Sequence, residues 1–211
     1  MTMKKIYLIL MAVTLMGYSI NAQDNSADVR DKIQFGLKAG INLSNVYDAK
    51  DQTFNADLKV GFAGGAFVAI PLGKYFGFQP EIIYSQKGYK SQGSILTIPY
   101  IYTHTTNYID VPLLLAIRPV EHLTLLFGPE YSFLISQKDV FTSGSLTFDQ
   151  EQTFKNDKSV FCLLSGVDLD LNHIVLSARA GWDMQNNNGD GTSTNPRYKN
   201  VWYQVTLGFK F

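Results

Sequence analysis

The sequence has little charge, little cysteine, little histidine and, beyond its first twenty residues, no long apolar run. Only 17% of its 211 residues are Asp, Glu, Lys or Arg, against about 25% in ordinary soluble domains. Cys162 is the single cysteine, which excludes an intrachain disulfide framework and any multi-thiolate zinc or iron–sulfur centre. The 18 basic and 18 acidic side chains cancel, so there is no electrostatic footprint for nucleic acid. What is plentiful is Gly (17), Tyr (12) and Phe (14), the signature of aromatic-rich β-structure in one domain, or at most two small ones.

The first segment stands apart. Lys4 and Lys5 precede a nearly continuous apolar stretch, Ile6 to Ile20, and Asn21-Ala22 stands before polar Gln23-Asp24-Asn25-Ser26. A basic start, an apolar centre and a small residue at the cut form the pattern of a secretory signal peptide. The stretch is shorter than the roughly 20 apolar residues of a spanning helix. Residues 1–22 are therefore expected to be cleaved, 23–32 to form a short periplasmic segment, and 33–211 to form the folded domain. Loss of Lys4 and Lys5 would leave the mature chain slightly acidic. The strongest later run, Val111–Ile117, is broken by Pro112, so no transmembrane helix is expected, whereas membrane-spanning strands give a far weaker signal.

Period-2 alternation runs through the rest of the chain. Phe35, Leu37, Ala39, Ile41 and Leu43 alternate with Lys38, Gly40 and Asn42. Phe76, Phe78, Pro80, Ile82 and Tyr84 alternate with Gln79, Glu81, Ser85 and Lys87. Ile109 to Ile117, Leu123 to Ile135 and Val201 to Phe211 repeat the pattern, while 58–70, 159–170 and 174–184 show it less cleanly. Short links at Pro71–Lys74, Pro119–His122 and Leu171–His173 alternate with longer polar ones at Val46–Asp57, Ser91–Pro99, Lys138–Lys158 and Gln185–Arg197. Seven such connections give eight strands with short turns at one end and long loops at the other. This predicts an all-β fold, an eight-stranded antiparallel up-and-down transmembrane β-barrel.

A lipocalin-like barrel, with its apolar face turned into a ligand cavity, and a β-sandwich are the soluble alternatives. The polar face decides between them, because it mixes Gly with Lys38, Glu81, Asp110, Glu130, Asp168, Arg179, Asp183 and Lys210. Small residues with charges of both signs suit a narrow interior filled by an ion-paired network, which makes the apolar face the outer one. Tyr84, Tyr131, Phe133, Trp182 and Tyr203 then form an aromatic girdle towards the long loops, and Phe35, Phe76, Phe209 and Phe211 one towards the short turns. Eight strands leave room for side chains and little else, so the lumen is expected to be closed.

Four segments carry a resemblance. Gly36-Leu37-Lys38-Ala39-Gly40-Ile41-Asn42-Leu43-Ser44, Phe78-Gln79-Pro80-Glu81-Ile82-Ile83-Tyr84-Ser85-Gln86-Lys87-Gly88, Tyr108-Ile109-Asp110-Val111-Pro112-Leu113-Leu114-Leu115 and Gly128-Pro129-Glu130-Tyr131 occur in the order seen in the PorT-type outer-membrane β-barrel family of Bacteroidota. The chain resembles that family over roughly residues 33–211. The alternating Tyr203, Val205, Leu207, Phe209 and terminal Phe211 resemble the C-terminal signal read by the barrel-assembly machinery. The resemblance implies fold and an outer-membrane location, with outer-membrane lipid and the assembly machinery as partners. It names no activity.

Little in the sequence points to catalysis or metal. His122 and His173 fall in short turns; His104 lies among Thr103, Thr105 and Thr106 with no surrounding motif, so a lipid A-modifying barrel enzyme is a minor alternative. Asn186-Asn187-Asn188-Gly189-Asp190-Gly191 begins like a calcium loop, but its twelfth position is Arg197 where a bidentate Glu is needed. No cofactor or metal is expected. Contact with a protein or ligand is expected through loops 138–158, with Phe141, Phe148 and Phe154, and 185–197.

Overall fold

The computed structural model describes residues 32–47, 56–95, 98–144, 146–153, 159–186 and 198–211. The expected signal peptide (1–22), nearly all of the following segment, Phe154 and residues 187–197 lie outside these. Among the described residues ten strands follow one another: β1 (Gln34–Tyr47), β2 (Ala56–Asp57), β3 (Lys59–Pro71), β4 (Phe76–Ile95), β5 (Ile98–Val120), β6 (Leu123–Ser143), β7 (Leu146–Thr153), β8 (Ser159–Leu171), β9 (Ile174–Asp183) and β10 (Lys199–Lys210). Eight of them, β1, β3, β4, β5, β6, β8, β9 and β10, pair antiparallel with their ring neighbours, and β4 pairs with β5 to close the ring. First and last strands meet along Gly36–Lys210 to Tyr47–Lys199. β2 and β7 are short additions, paired only with β4 and β6.

Alternation becomes sidedness. On β10, Trp202, Gln204, Thr206, Gly208 and Lys210 are buried, whereas Tyr203, Val205, Leu207 and Phe209 are exposed. The same holds on β1, where Lys38, Asn42 and Ser44 face inward and Leu37 and Ile41 outward. Exposed Phe62, Ile82, Leu113, Leu115, Phe127, Leu176 and Leu207 form an apolar belt around the barrel. The residues of the two expected aromatic girdles lie on this outer face, with Tyr131 packed on Phe161 and Phe209 on Phe211. An exterior this apolar inverts the arrangement of a water-soluble lipocalin.

The interior is less uniformly polar than the sequence suggests. Leu114, Ala116, Leu126, Val160, Cys162 and Leu164 of β5, β6 and β8 form an apolar inner wall with Trp202. Pro112 is also buried, on the ladder facing Glu130. Buried Asp110, Glu130 and Asp168 interrupt this wall on the same strands, while Lys38, Glu81, Lys87, Arg179 and Asp183 come to them from β1, β4 and β9.

The long connections differ from expectation more. Of the expected loops, Ser91–Ile95, Ile98–Pro99 and much of Lys138–Lys158 are strand: β4 continues to Ile95, β5 starts at Ile98, β6 continues to Ser143, and β7 pairs with it at Phe141–Phe148. Tyr, Thr, Val and Phe favour strands here. The apolar alternation disappears because the sheet beyond the belt has no lipid face, and its inner side is covered near the barrel by a polar and aromatic cluster that includes Tyr89 and His104. β4, β5 and β6 reach 20, 23 and 21 residues, against 12 to 14 for β1, β3, β8 and β10. At a rise of about 3.3 Å per residue the excess lifts a β2–β4–β5–β6–β7 sheet roughly 20 Å beyond the belt.

Candidate functional site

All eight charged residues picked out by parity are buried in the lumen, but the structure divides them. In the lower cluster, towards the short turns, Arg179 makes a two-pronged pair with Asp168, through Nη1–Oδ1 and Nη2–Oδ2 (3.0 Å), and its Nη2 also lies 3.5 Å from Glu81 Oε1. Lys38 donates to Glu81 Oε2. Gln79 Nε2 donates to both carboxylates, at 2.9 Å to Glu81 and 3.3 Å to Asp168. Two cations therefore face two anions, each carboxylate with several donors. Lys210 stands apart at the turn end, 2.7 Å from Asp170, a residue that parity does not single out.

The middle cluster is organised by Lys87, also absent from the sequence-derived set. Its ammonium lies 3.0 Å from Asp110 Oδ2, 3.1 Å from Glu130 Oε1 and 3.1 Å from Ser132 Oγ. It also sits 3.6 Å from the centre of the Trp202 ring. Asp183, on the same level, accepts from the Cys162 thiol (3.2 Å) and from the backbone and side-chain nitrogens of Asn200 (2.9 and 2.6 Å). Gly181 creates the space for Trp202: a Cβ there would lie 2.2 Å from the indole Cζ2. Cys162 is a buried packing residue with a hydrogen-bonded thiol.

Beyond the belt a third cluster covers the inner face of the protruding sheet. His104 Nδ1 meets Asp139 Oδ1 at 2.5 Å, and His104 Nε2 meets the Tyr198 hydroxyl at 2.7 Å. Asp139 also accepts from Tyr102 (2.6 Å) and Gln137 (3.1 Å). Tyr89 stacks on the imidazole at 5.0 Å between centroids. Burial pushes the Asp139 carboxyl upward, but hydrogen bonds from His104, Tyr102 and Gln137 outweigh it and hold the group below the ordinary carboxylate value. Burial pushes the Tyr89 and Tyr102 phenols well up, so both stay neutral, Tyr102 as a donor to Asp139. Sequence spacing hides this cluster, since His104, Asp139 and Tyr198 are brought together only by strand register.

An Asp–His pair invites an acid–base reading. Both imidazole nitrogens are occupied, however, and no serine, threonine or cysteine side chain hydrogen-bonds to either among the described residues. Nor do three acidic, histidine or cysteine side chains converge on a point there that could hold a metal ion. His122 and His173 bond backbone carbonyls of Asp170 and Lys210 at the short turns.

The crystal structure of Ail, the attachment invasion locus protein of Yersinia pestis, is 14% identical, with a TM-score of 0.47, over 84% of this chain and 98% of that one. OprG from Pseudomonas aeruginosa is 13% identical, with a TM-score of 0.38, over 84% and 95%. The outer membrane protease OmpT from Escherichia coli is 11% identical, with a TM-score of 0.40, over 90% and 99%. No curated protein matches the chain. Residues 21–187 match the family described as outer membrane protein beta-barrel domain. The chain belongs to this family, as an eight-stranded barrel of the outer membrane whose apolar belt is its lipid-facing surface.

Proposed function

We propose that the protein is a non-enzymatic outer-membrane barrel with a side-chain-filled lumen, and that its protruding sheet is the surface that meets partners outside the cell. The observation that carries this reading is the span of the interior contacts. Lys87 of β4 reaches Trp202 of β10 across two intervening strands, and Arg179 of β9 reaches Glu81 of β4. Contacts across an eight-stranded ring, whose interior is just wide enough for side chains, support a filled lumen over an open channel. The saturated hydrogen bonding of His104 supports the non-enzymatic part. Exposed Leu146 and Phe148 on β7, with Tyr100 stacked on Phe141 at 5.4 Å, favour the protruding sheet as a contact surface.

The PorT-type branch, found in Bacteroidota, is the finer family reading, resting on the four ordered segments from Gly36 to Tyr131. Tyr203, Val205, Leu207, Phe209 and Phe211 form the outward row that would present the assembly signal. Planar-bilayer recording from the purified, refolded protein tests the closed lumen: no steady conductance is expected, and a large stable one would overturn it.

A further inference from the structure

Every strand of the ring is paired on both sides, but the sheet that rises from it is not closed. That sheet runs β2–β4–β5–β6–β7 and therefore has two ends. At one end β2 is only two residues long. At the other, β7 keeps an unbroken register with β6 from Ser136–Thr153 to Ser143–Leu146, and β6 is its one strand partner among the described residues. Long edges are ordinarily blunted by proline, lysine, a bulge or an overlying segment. β7, Leu146-Thr147-Phe148-Asp149-Gln150-Glu151-Gln152-Thr153, has no proline, no lysine and no register shift. The tight turn joining Ser143 to Leu146, with Gly144 at φ 56°, fixes which groups face the edge. Residues flanking a two-residue turn exchange both backbone bonds, and the pattern then alternates along the pair. Leu146, Phe148 and Gln150 thus turn their peptide groups towards β6, and Thr147, Asp149 and Glu151 turn theirs to the open edge.

The side chains of β7 limit what can lie beside it. On one face Leu146 and Phe148 are 63% and 64% exposed, and Phe148 stands in register with Phe141, on which Tyr100 stacks. On the other face Lys138 holds Asp149 at 3.0 Å and stands in register with Glu151, so one cation answers two carboxylates. A strand laid along this edge, about 4.8 Å away, would continue both rows. Apolar side chains on it would cover Leu146 and Phe148, and a basic one would answer the spare negative charge.

We propose that β7 is a docking edge for an extended segment of another protein, which adds a strand to the protruding sheet and carries apolar residues at one set of alternate positions and Lys or Arg at the other. Backbone hydrogen bonds from Thr147, Asp149 and Glu151 hold the segment, and the two side-chain rows select it. The inference rests on the reading of this sheet as the contact surface outside the cell, and adds the mode of contact and the chemistry of what is bound.

The test places the full mature barrel in phosphatidylcholine nanodiscs and follows the fluorescence anisotropy of a labelled peptide of alternating valine and lysine. Binding is expected, and a valine–glutamate peptide should bind about tenfold more weakly. Thr147→Pro, which removes one edge-facing N–H and leaves every charge in place, should weaken the lysine peptide by about tenfold or more. A second readout needs no variant: in the complex, amide exchange should slow far more at Thr147, Asp149 and Glu151 than at Phe148 and Gln150, which already bond to β6. No binding of the lysine peptide, or equal binding of the two peptides, would overturn the proposal. Binding without the alternating protection would also overturn it, showing contact through side chains and leaving the sheet's wider role intact. Self-association of the barrel that Thr147→Pro abolishes would assign the edge to a second copy of this chain and overturn it too. Glu151→Cys, treated on intact cells with a membrane-impermeant maleimide, probes the parent reading by itself. Labelling is expected there, and its absence would overturn the external placement of the sheet whatever the peptides do.

Discussion

The ammonium of Lys87 lies 3.6 Å from the centre of the Trp202 ring, although the two residues belong to strands separated by β3 and β1 around the barrel. This contact crosses the lumen, and the same ammonium holds Asp110 and Glu130 on the other side. Cation and indole thus link strands from two sides of the ring at mid-height.

Lys87→Met keeps the length of the side chain and removes its charge. It strands Asp110 and Glu130 in the lumen without their cation. The expected loss is about 3–5 kcal/mol, the usual result of breaking a buried pair from one side. Urea titration of the refolded barrel in micelles measures it; a loss below about 1 kcal/mol would show that Lys87 does not organise the cluster.

Gly181 is expected to reject any larger residue because the indole of Trp202 lies where its Cβ would go. Gly181→Val should cost about 1–3 kcal/mol by overpacking. In the Trp202→Leu background the same change should cost markedly less, since the clash is removed. A double-mutant cycle reads the difference, and additive effects would contradict the packing described.

Leu207 lies in the outward belt and is well exposed. Leu207→Arg should destabilise the barrel by about 2–4 kcal/mol in a lipid bilayer, as for an arginine near the midplane of a lipid face. On a water-facing surface the substitution would be close to neutral. Comparing unfolding of the two proteins in phospholipid vesicles decides between these outcomes.

Acid should loosen the protruding sheet before it affects the barrel wall. Asp139 has a folded-state pKa below its unfolded one. Its contribution is therefore present above the ordinary carboxylate value, about 3.9, and is lost as the pH falls through the depressed folded value. Amide exchange of the β5–β6 extension near His104 and Asp139 should accelerate below the ordinary carboxylate range, and Asp139→Asn should show fast exchange already at neutral pH. Unchanged exchange in that variant would rule the carboxylate out as the clamp.

The barrel wall was legible in the sequence because lipid outside and packed charge inside impose opposite chemistry on successive residues. Leu207 beside Thr206, or Ile41 beside Asn42, declares its side from one-residue spacing alone. The extensions of β4 to β7 were not legible. Half-buried Thr103 and Gln137 and exposed Glu151 belong to a sheet without a lipid face, which asks for no apolar alternation. Lys87 stood on the correct face, yet its importance depends on Asp110, Glu130 and Trp202 arriving from other strands. The His104–Asp139–Tyr198 cluster is likewise a product of register, invisible to any local pattern.

The seam between β1 and β10 also governs the order of assembly. Gly36 pairs with Lys210, and the backbone nitrogen of Phe211 donates to the carbonyl of Phe35 at 2.9 Å. The ring thus joins the strands that leave the ribosome furthest apart in time. Until β10 emerges, β1 offers a full row of unsatisfied peptide groups to any passing strand. Neighbouring strands such as β8 and β9 can pair locally beforehand, but the circle closes only when β10 meets β1.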